Sequence, residues 1–151
     1  MREATFNALG SMGAIEGARV LDLFAGTGAM GIEALSRGAE HATFVERDRA
    51  ARDVITQNLA TTGFTDAATV VAADALGWLA GASGYDLAVC DPPYAYDGWT
   101  ALLDALPAPL AVLEAGHEVD PGDGWSVVRS KRYGSTVVTI IRRTPATEVA
   151  P

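Results

Sequence analysis

Cysteine, histidine and long apolar runs are scarce in this chain, and each scarcity excludes a class of protein. The 151 residues include one cysteine, Cys90, so no internal disulfide can form and a reducing, cytoplasmic location is expected. No apolar run approaches the roughly 20 residues that span a bilayer, and no signal peptide is recognisable, so we expect no membrane association. The two histidines have no metal-ligand spacing with each other or with Cys90, so we expect no metal site.

Positive charge is also limited, which argues against a generic nucleic-acid-binding surface. The sequence has 11 lysines and arginines against 19 acidic residues, a formal net charge of −8. The basic residues nevertheless fall mainly into two groups, one within 47–52 and one within 129–143. With 49% apolar and 20% charged residues, the composition is that of one globular domain, 1–151.

One stretch organises the rest of the sequence, VLDLFAGTGAMG at 20–31. Its apolar start predicts a strand buried on both faces, and the residues from Ala29 predict a helix. Between them, Gly26 and Gly28 stand where the backbone turns sharply and can approach a ligand closely. The glycines match G-x-G-x-x-G, a weak signal alone, but Asp22 lies inside the apolar strand, where a carboxylate is costly without a partner. A carboxylate beside the loop favours a cationic ligand over the pyrophosphate of a dinucleotide.

The alternation of strands and helices predicts an α/β fold. Predicted strands cover 20–24, 42–46, 68–72, 85–90, 110–114, 125–131 and 136–142, and predicted helices cover 2–12, 29–37, 49–62, 75–79 and 99–106. A turn at 132–135 joins the last two strands, and the tail after Arg143 is expected to fray. Five alternations followed by a hairpin predict a mostly parallel seven-stranded sheet, with helices on both faces and an antiparallel C-terminal hairpin.

Each of the first four predicted strands carries a carboxylate in or just beyond its carboxyl-terminal half: Asp22, Glu46, Asp74 and Asp91. Ligands of open α/β sheets bind beyond these strand ends, so we expect the four side chains to contribute to one site. Glu46 follows Asp22 by 24 residues, close to the offset of an acid that accepts hydrogen bonds from ribose hydroxyls. For Asp74 two roles stay open, a helix N-cap and a contact with an adenine amine.

The motif Asp91-Pro92-Pro93-Tyr94 follows the fourth predicted strand and is the most specific signal in the chain. Consecutive prolines fix φ and donate no backbone hydrogen bond, so the turn is stiff and its carbonyls are free to accept. The Asp91 carboxylate and the Pro92 carbonyl can accept the two protons of an exocyclic amine, while Tyr94 stacks on the ring. The motif therefore predicts a catalytic site, made of these four residues, for a planar base that carries an amine.

Together, D-x-F-A-G-T-G and D-P-P-Y resemble methyltransferases that use S-adenosylmethionine to modify amino groups of nucleic-acid bases. REATFNAL at 2–9, GIEALSRGA at 31–39, VERD at 45–48 and RYGST at 132–136 are similar to one family, the bacterial 16S ribosomal RNA guanine-N2 methyltransferases (RsmD-like). The resemblance implies a Rossmann-like class I methyltransferase fold, transfer to guanine N2, and ribosomal RNA or the small-subunit ribonucleoprotein as partner. It implies cofactor contacts from ten residues: Asp22, Phe24, Ala25, Gly26, Gly28, Glu46, Arg47, Asp74, Ala75 and Asp91.

We expect RNA contacts from Arg129, Lys131 and Arg132, with Arg47, around the open edge of the sheet, and we expect a monomer. Members of the resembled family usually carry a basic segment before the opening helix, and this sequence opens on that helix. Because phosphate contacts supply much of the affinity for nucleic acids, we expect weak binding of free RNA with a shallow salt dependence.

Three other functions fit part of the sequence. Methylation of a DNA adenine or cytosine amine would use the same D-P-P-Y motif, which does not identify the base. A non-catalytic cofactor-binding subunit that needs a partner would suit the net acidity of the chain. A nicotinamide-dependent dehydrogenase rests on the glycine fingerprint alone, and nothing downstream in the sequence supplies hydride chemistry.

Overall fold

The computed structural model describes residues 1–145, so most of the tail expected to fray, 146–151, lies outside the described residues. In chain order the helices are α1 Arg2–Ser11, α2 Ala29–Ser36, α3 Arg49–Thr62, α4 Ala75–Leu79 and α5 Trp99–Ala105. The strands are β1 Arg19–Leu23, β2 His41–Val45, β3 Ala68–Val71, β4 Leu87–Cys90, β5 Leu110–Ala115, β6 Trp125–Tyr133 and β7 Thr136–Arg143. Every predicted helix and strand is present, with bounds that differ by at most two residues. No helix within 1–145 is long and apolar enough to cross a membrane.

All seven strands form one sheet in the order β3-β2-β1-β4-β5-β7-β6. The first five are parallel, and β7 runs antiparallel between β5 and β6. The predicted mostly parallel sheet with a C-terminal antiparallel hairpin is confirmed. Because successive strands run outward from β1 on one side and from β4 on the other, the crevice beyond these two strand ends is the place where such sheets bind ligands.

The predicted four-residue turn of the hairpin is wrong. Arg132 pairs with Val137 and Tyr133 with Thr136, so the strands continue until only Gly134 and Ser135 remain between them. Gly134 has φ +62°, which suits the first position of a tight two-residue hairpin turn. The shorter turn brings Lys131 and Arg132 to the end of a paired strand, at the same sheet edge as the carboxyl end of β5.

The sheet is covered on both faces by apolar clusters. Alternating strand residues such as Val20 and Val89 pack with α1, α2 and α3 on one face, which we call the α1 face. The residues between them, such as Leu21 and Ala88, pack with α4 and α5 on the other. The two-sided burial explains why the central strands are continuous apolar runs and why Asp22 within β1 is unusual.

Gly31 allows α2 to lie close against β2, and we expect its replacement to destabilise the fold. A Cβ at this position would overlap the ring of Phe44, which is fully buried (0% exposed) and cannot move aside. Overpacking of this kind costs about 1–3 kcal/mol, so Gly31→Ala should lower the free energy of unfolding by that amount in urea titrations.

Gly10→Ala is the matched control, because Gly10 lies in α1 and a Cβ there meets nothing within 4 Å. That variant should be neutral or stabilising, since alanine favours a helix over glycine by about 0.5–1 kcal/mol. Equal stabilities of the two variants would contradict the close approach of α2 to β2.

Candidate active site

A cavity of about 690 Å³ lies beyond the carboxyl ends of β1 to β4, a volume suited to a nucleoside-sized ligand. Thirteen residues line it: Phe24, Gly26, Val45, Glu46, Arg47, Asp48, Ala73, Asp74, Ala75, Asp91, Pro92, Pro93 and Tyr96. Nine of these were predicted site residues from four separate segments of the sequence, so three of the four strand-end acids and the D-P-P part of the turn line one cavity. Four other predicted residues, Asp22, Ala25, Gly28 and Tyr94, are not among the lining residues.

The glycine loop is shaped by left-handed backbone at three positions. Gly26 and Gly28 have φ of +57° and +80°, and Gly28 is the N-cap of α2. Phe24 is the only non-glycine residue within 1–145 with positive φ, at +57°, a conformation that costs on the order of 1–3 kcal/mol. The backbone N–H of Ala25 donates to the carbonyl of Val45 over 3.2 Å and ties the loop to β2. The fold thus stabilises a loop whose backbone faces the cavity.

Asp22 lies beneath the loop and has a partner within the fold. It is 2% exposed, and its Oδ2 accepts a hydrogen bond of 3.0 Å from the N–H of Gly31 in the first turn of α2. Burial raises the pKa of Asp22 to about 8, and the charges of Asp91, Glu114 and Glu46 contribute to the increase. The hydrogen bond from Gly31 acts in the opposite direction but is outweighed. A ligand is therefore not needed to account for this buried carboxylate, which instead fixes the helix behind the loop.

Glu46 joins the glycine loop to the turn that follows β2. Its Oε1 accepts from the N–H of Gly26 over 2.9 Å, and its Oε2 accepts from the N–H of Asp48 over 3.0 Å. The Arg52 guanidinium donates to the carbonyls of Glu46 and Arg47, at 3.1 and 2.6 Å. Each carboxylate oxygen can accept a further hydrogen bond, so the held side chain fits the predicted contact with ribose hydroxyls.

Asp48 and Asp74 are both helix N-caps on the cavity rim. The Oδ2 of Asp48 accepts from the N–H of Ala51 over 2.9 Å at the start of α3, as predicted. The Oδ2 of Asp74 accepts from the N–H of Gly77 over 3.3 Å at the start of α4. Of the two roles left open for Asp74, the helix N-cap is therefore observed. Asp74 also lines the cavity, so a contact with an adenine amine stays a prediction.

The D-P-P-Y turn divides between the cavity and the solvent. Asp91, Pro92 and Pro93 line the cavity, and partial burial raises the pKa of Asp91. Tyr94 is 74% exposed, and its ring lies against Gly116, where a Cβ would overlap it. The tyrosine therefore stands outside the cavity, on the side of β5, with most of its surface free for stacking.

Sequence reasoning missed Tyr96, which lines the cavity, and Glu114, which lies near Asp91 but outside the lining. Tyr96 lines the cavity, and its ring packs edge-on against Phe24 and Trp99 at centroid distances of 5.3 and 5.6 Å. Its place two residues after Tyr94 was the only available signal. Glu114 is 7% exposed near the end of β5, and burial with the nearby charge of Asp91 raises its pKa to about 7. An acid within an otherwise apolar predicted strand could have identified Glu114, as it identified Asp22.

The basic residues of the hairpin lie at two different ends of the sheet. Lys131 and Arg132 are exposed near the hairpin turn at the site edge, and the Lys131 amine lies 5.5 Å from the ring centroid of Tyr133. Arg129 is only partly exposed, with Nη2 3.5 Å from the Tyr133 hydroxyl and Nη1 enclosed without a partner in the described part of the chain. Arg143 donates to two carbonyls of the α5 segment at the opposite end. The hairpin thus presents two free cations at the site edge.

Comparison with known proteins identifies the family. The family described as Conserved hypothetical protein 95 matches residues 1–142. Ribosomal RNA small subunit methyltransferase D of Escherichia coli K12 is 35% identical over 95% of this chain and 76% of its own length. The chain belongs to the RsmD methyltransferase family.

Two further relatives agree with this membership. YlbH of Bacillus subtilis is 36% identical over 95% of this chain and 84% of its own length. A solved conserved hypothetical protein of Streptococcus pyogenes superimposes with a TM-score of 0.86, at 32% identity over 95% of this chain and 96% of that chain. The Rossmann-like class I methyltransferase fold implied by the sequence motifs is confirmed, and the chain is an RNA methyltransferase.

Proposed function

We propose that this RsmD family member transfers the methyl group of S-adenosylmethionine to the exocyclic N2 amine of a guanine in 16S ribosomal RNA. The observation that carries the proposal is that the predicted cofactor residues and the predicted catalytic residues line one cavity. Glu46 and the glycine loop line one side of it, and Asp91 with Pro92 lines the other. A donor held by the first set and an amine held by the second would lie side by side, so catalysis would come mainly from positioning.

The charges around the cavity suit this cofactor. S-adenosylmethionine carries an ammonium, a sulfonium and one carboxylate, so its net charge is positive, and it supplies an electrophilic methyl group. Burial raises the pKa values of Asp22, Asp91 and Glu114, and repulsion from neighbouring carboxylates adds to the effect for Asp22 and Glu114. A cation in the cavity would offset that repulsion. Within this arrangement Glu46 would hold the ribose, and the loop from Phe24 to Gly28 would hold the amino-acid end.

Glu46→Ala should weaken the binding of S-adenosylhomocysteine by about 1–3 kcal/mol in calorimetric titrations. The variant removes the acceptor for the ribose hydroxyls and also frees the N–H groups of Gly26 and Asp48. Glu40→Ala, which removes a carboxylate from the turn before β2, should leave the affinity unchanged. An unaltered affinity in Glu46→Ala would remove Glu46 from the cofactor site.

In the part of the site that would bind the target base, the Asp91 carboxylate and the Pro92 carbonyl would accept hydrogen bonds from the amine to be methylated. These bonds would localise the nitrogen lone pair toward the methyl group. A strong general base would not be required before attack, because the amine would become acidic as it becomes cationic, and the Asp91 carboxylate beside it could take the released proton. The exposed ring of Tyr94 would stack on the base, which must be unpaired or extruded from its helix to enter the site.

Lys131 and Arg132 would contact RNA phosphates at the site edge. Lys131→Glu should raise the KM for RNA and reduce the salt dependence of binding, with S-adenosylhomocysteine affinity unchanged. Arg142→Glu is the matched control, because Arg142 pairs with Leu110 at the opposite end of the same hairpin. Equal effects of the two charge reversals would show that only net charge matters and that the hairpin turn is not the RNA-binding edge.

A methylation assay with position mapping tests the proposed function. The protein is incubated with labelled S-adenosylmethionine and unmodified small-subunit ribosomal RNA, free or in assembled subunits, and the nucleosides are separated after digestion. We expect label in N2-methylguanosine. A parallel reaction contains unmodified DNA, and label in its adenine or cytosine would support the other amino-methyltransferase activity. Cofactor binding without transfer to any of these substrates would identify a non-catalytic subunit.

A further inference from the structure

Glu114 is a buried carboxylate that the proposed function uses only as a negative charge near the cavity. It is 7% exposed, and no side-chain hydrogen bond to it is present within residues 1–145. It is also absent from the lining of the cavity beyond β1 to β4. The Glu114 oxygens are not among the fully enclosed side-chain atoms that lack a partner within 1–145, so a ligand can still reach the carboxylate.

The strand register places Glu114 next to Asp91. The parallel ladder of β4 and β5 ends at the pair Cys90 and Leu113, so Asp91 and Glu114 are the next residue on each strand and follow that pair at neighbouring positions. Leu110 and Val112 pack on the α1 face of the sheet, and the alternation of a strand puts Glu114 on that face too. The charge of Asp91 contributes to the raised pKa of Glu114, which agrees with their proximity.

Glu114 lies on the substrate side of Asp91. In the sheet order, β1, β2 and β3 lie on one side of β4 and carry the cavity, whereas β5, β7 and β6 lie on the other. The ring of Tyr94 covers Gly116, two residues beyond Glu114 and on the same face. In the antiparallel ladders Glu114 pairs with Val138, and Val138 pairs with Lys131. Glu114 and the basic end of the hairpin are therefore separated by one strand. Asp91, Glu114 and Tyr94 thus surround the place where the methyl acceptor would enter.

We propose that Glu114 accepts a hydrogen bond from N1–H of the target guanine and so restricts methyl transfer to guanine. This inference rests on the proposed function. Guanine presents three neighbouring donor hydrogens on its Watson–Crick edge, one on N1 and two on N2. If Asp91 and Pro92 accept hydrogen bonds from the N2 amine, the neighbouring Glu114 carboxylate is placed to accept one from N1–H.

The same arrangement disfavours the other amino bases. The amine of adenine is flanked by N1 and that of cytosine by N3, and both ring nitrogens are acceptors. A carboxylate opposite either one places two acceptors face to face and leaves both unpaired. Sites built to hydrogen-bond one group reject analogues that lack it strongly, because the buried partner remains unsatisfied.

The test uses 2-aminopurine, which keeps the exocyclic amine of guanine but has an acceptor in place of N1–H. After the methylated nucleotide is mapped, RNA carrying guanine or 2-aminopurine at that position is prepared by ligation. The wild-type enzyme should methylate 2-aminopurine about 10- to 100-fold more slowly than guanine. In Glu114→Gln the rate on guanine should fall and the ratio of the two rates should narrow about tenfold or more, because a glutamine amide can donate to the ring nitrogen.

Glu118→Gln is the control, since Glu118 is an exposed acid four residues further along the same segment. It should retain the wild-type ratio. Equal rates on both bases by the wild-type enzyme, or an unchanged ratio in Glu114→Gln, would overturn the role of Glu114. Absence of N2-methylguanosine from the guanine substrate would instead overturn the proposed function, so the two failures are distinguishable.

Discussion

Asp91→Ala should reduce methyl transfer by about 100- to 1,000-fold while leaving S-adenosylhomocysteine affinity within a few fold. The carboxylate would act on the target amine, and the loss of one group that stabilises developing charge in a preorganised site has an effect of this size. The prediction is checked by measuring kcat with unmodified ribosomal RNA and the cofactor affinity by calorimetry on the same preparation.

Two companion variants make the Asp91 result interpretable. Asp91→Asn keeps one carbonyl acceptor and should retain more activity than Asp91→Ala. Asp104→Asn removes an exposed carboxylate from α5 and should leave kcat unchanged. If cofactor affinity collapses together with activity in Asp91→Ala, the side chain holds the cofactor or the fold, and its assigned role toward the amine is wrong.

Asp22→Asn should make the protein less sensitive to alkaline destabilisation. The folded-state pKa of Asp22 is about 8, against an ordinary value of 3.8, so the folded protein retains a proton that the unfolded chain has released across this interval. Stability therefore falls as the pH rises through that window, by up to about 1.4 kcal/mol per pH unit for one such group. Asparagine can still accept from the N–H of Gly31 and has no proton to lose.

Urea unfolding at several pH values between 5 and 8.5 measures this effect. The stability of Asp22→Asn relative to the wild type should increase with pH by a few kcal/mol, and some slope should remain because the pKa of Glu114 is also raised. Asp104→Asn should give a curve parallel to the wild type. A parallel curve for Asp22→Asn would show that the buried carboxylate is ionised throughout this range.

The sequence alone predicted the alternation of strands and helices and the edge of the sheet at which the site lies. These features depend on local signals. Apolar runs bounded by glycine define the strands, Asp48 caps a helix, and the stiff prolines of the D-P-P-Y turn follow a strand end. Parallel strands bring their carboxyl ends to one edge, so the meeting of Glu46 with Asp91 followed from the order of elements.

The tertiary structure decided which residues of each motif face the cavity. Tyr94 and Tyr96 are equally aromatic in the sequence, but only Tyr96 lines the cavity, because Gly116 of a distant segment leaves room for the Tyr94 ring outside it. The partner of Asp22 was also unpredictable, since it depends on how closely α2 approaches β1. The neighbour of Asp91 is fixed only by the register of β4 and β5, which joins residues far apart in sequence. Local patterns specify elements, whereas side-chain neighbours arise from packing between elements, so Glu114 could be placed beside Asp91 only in the folded chain.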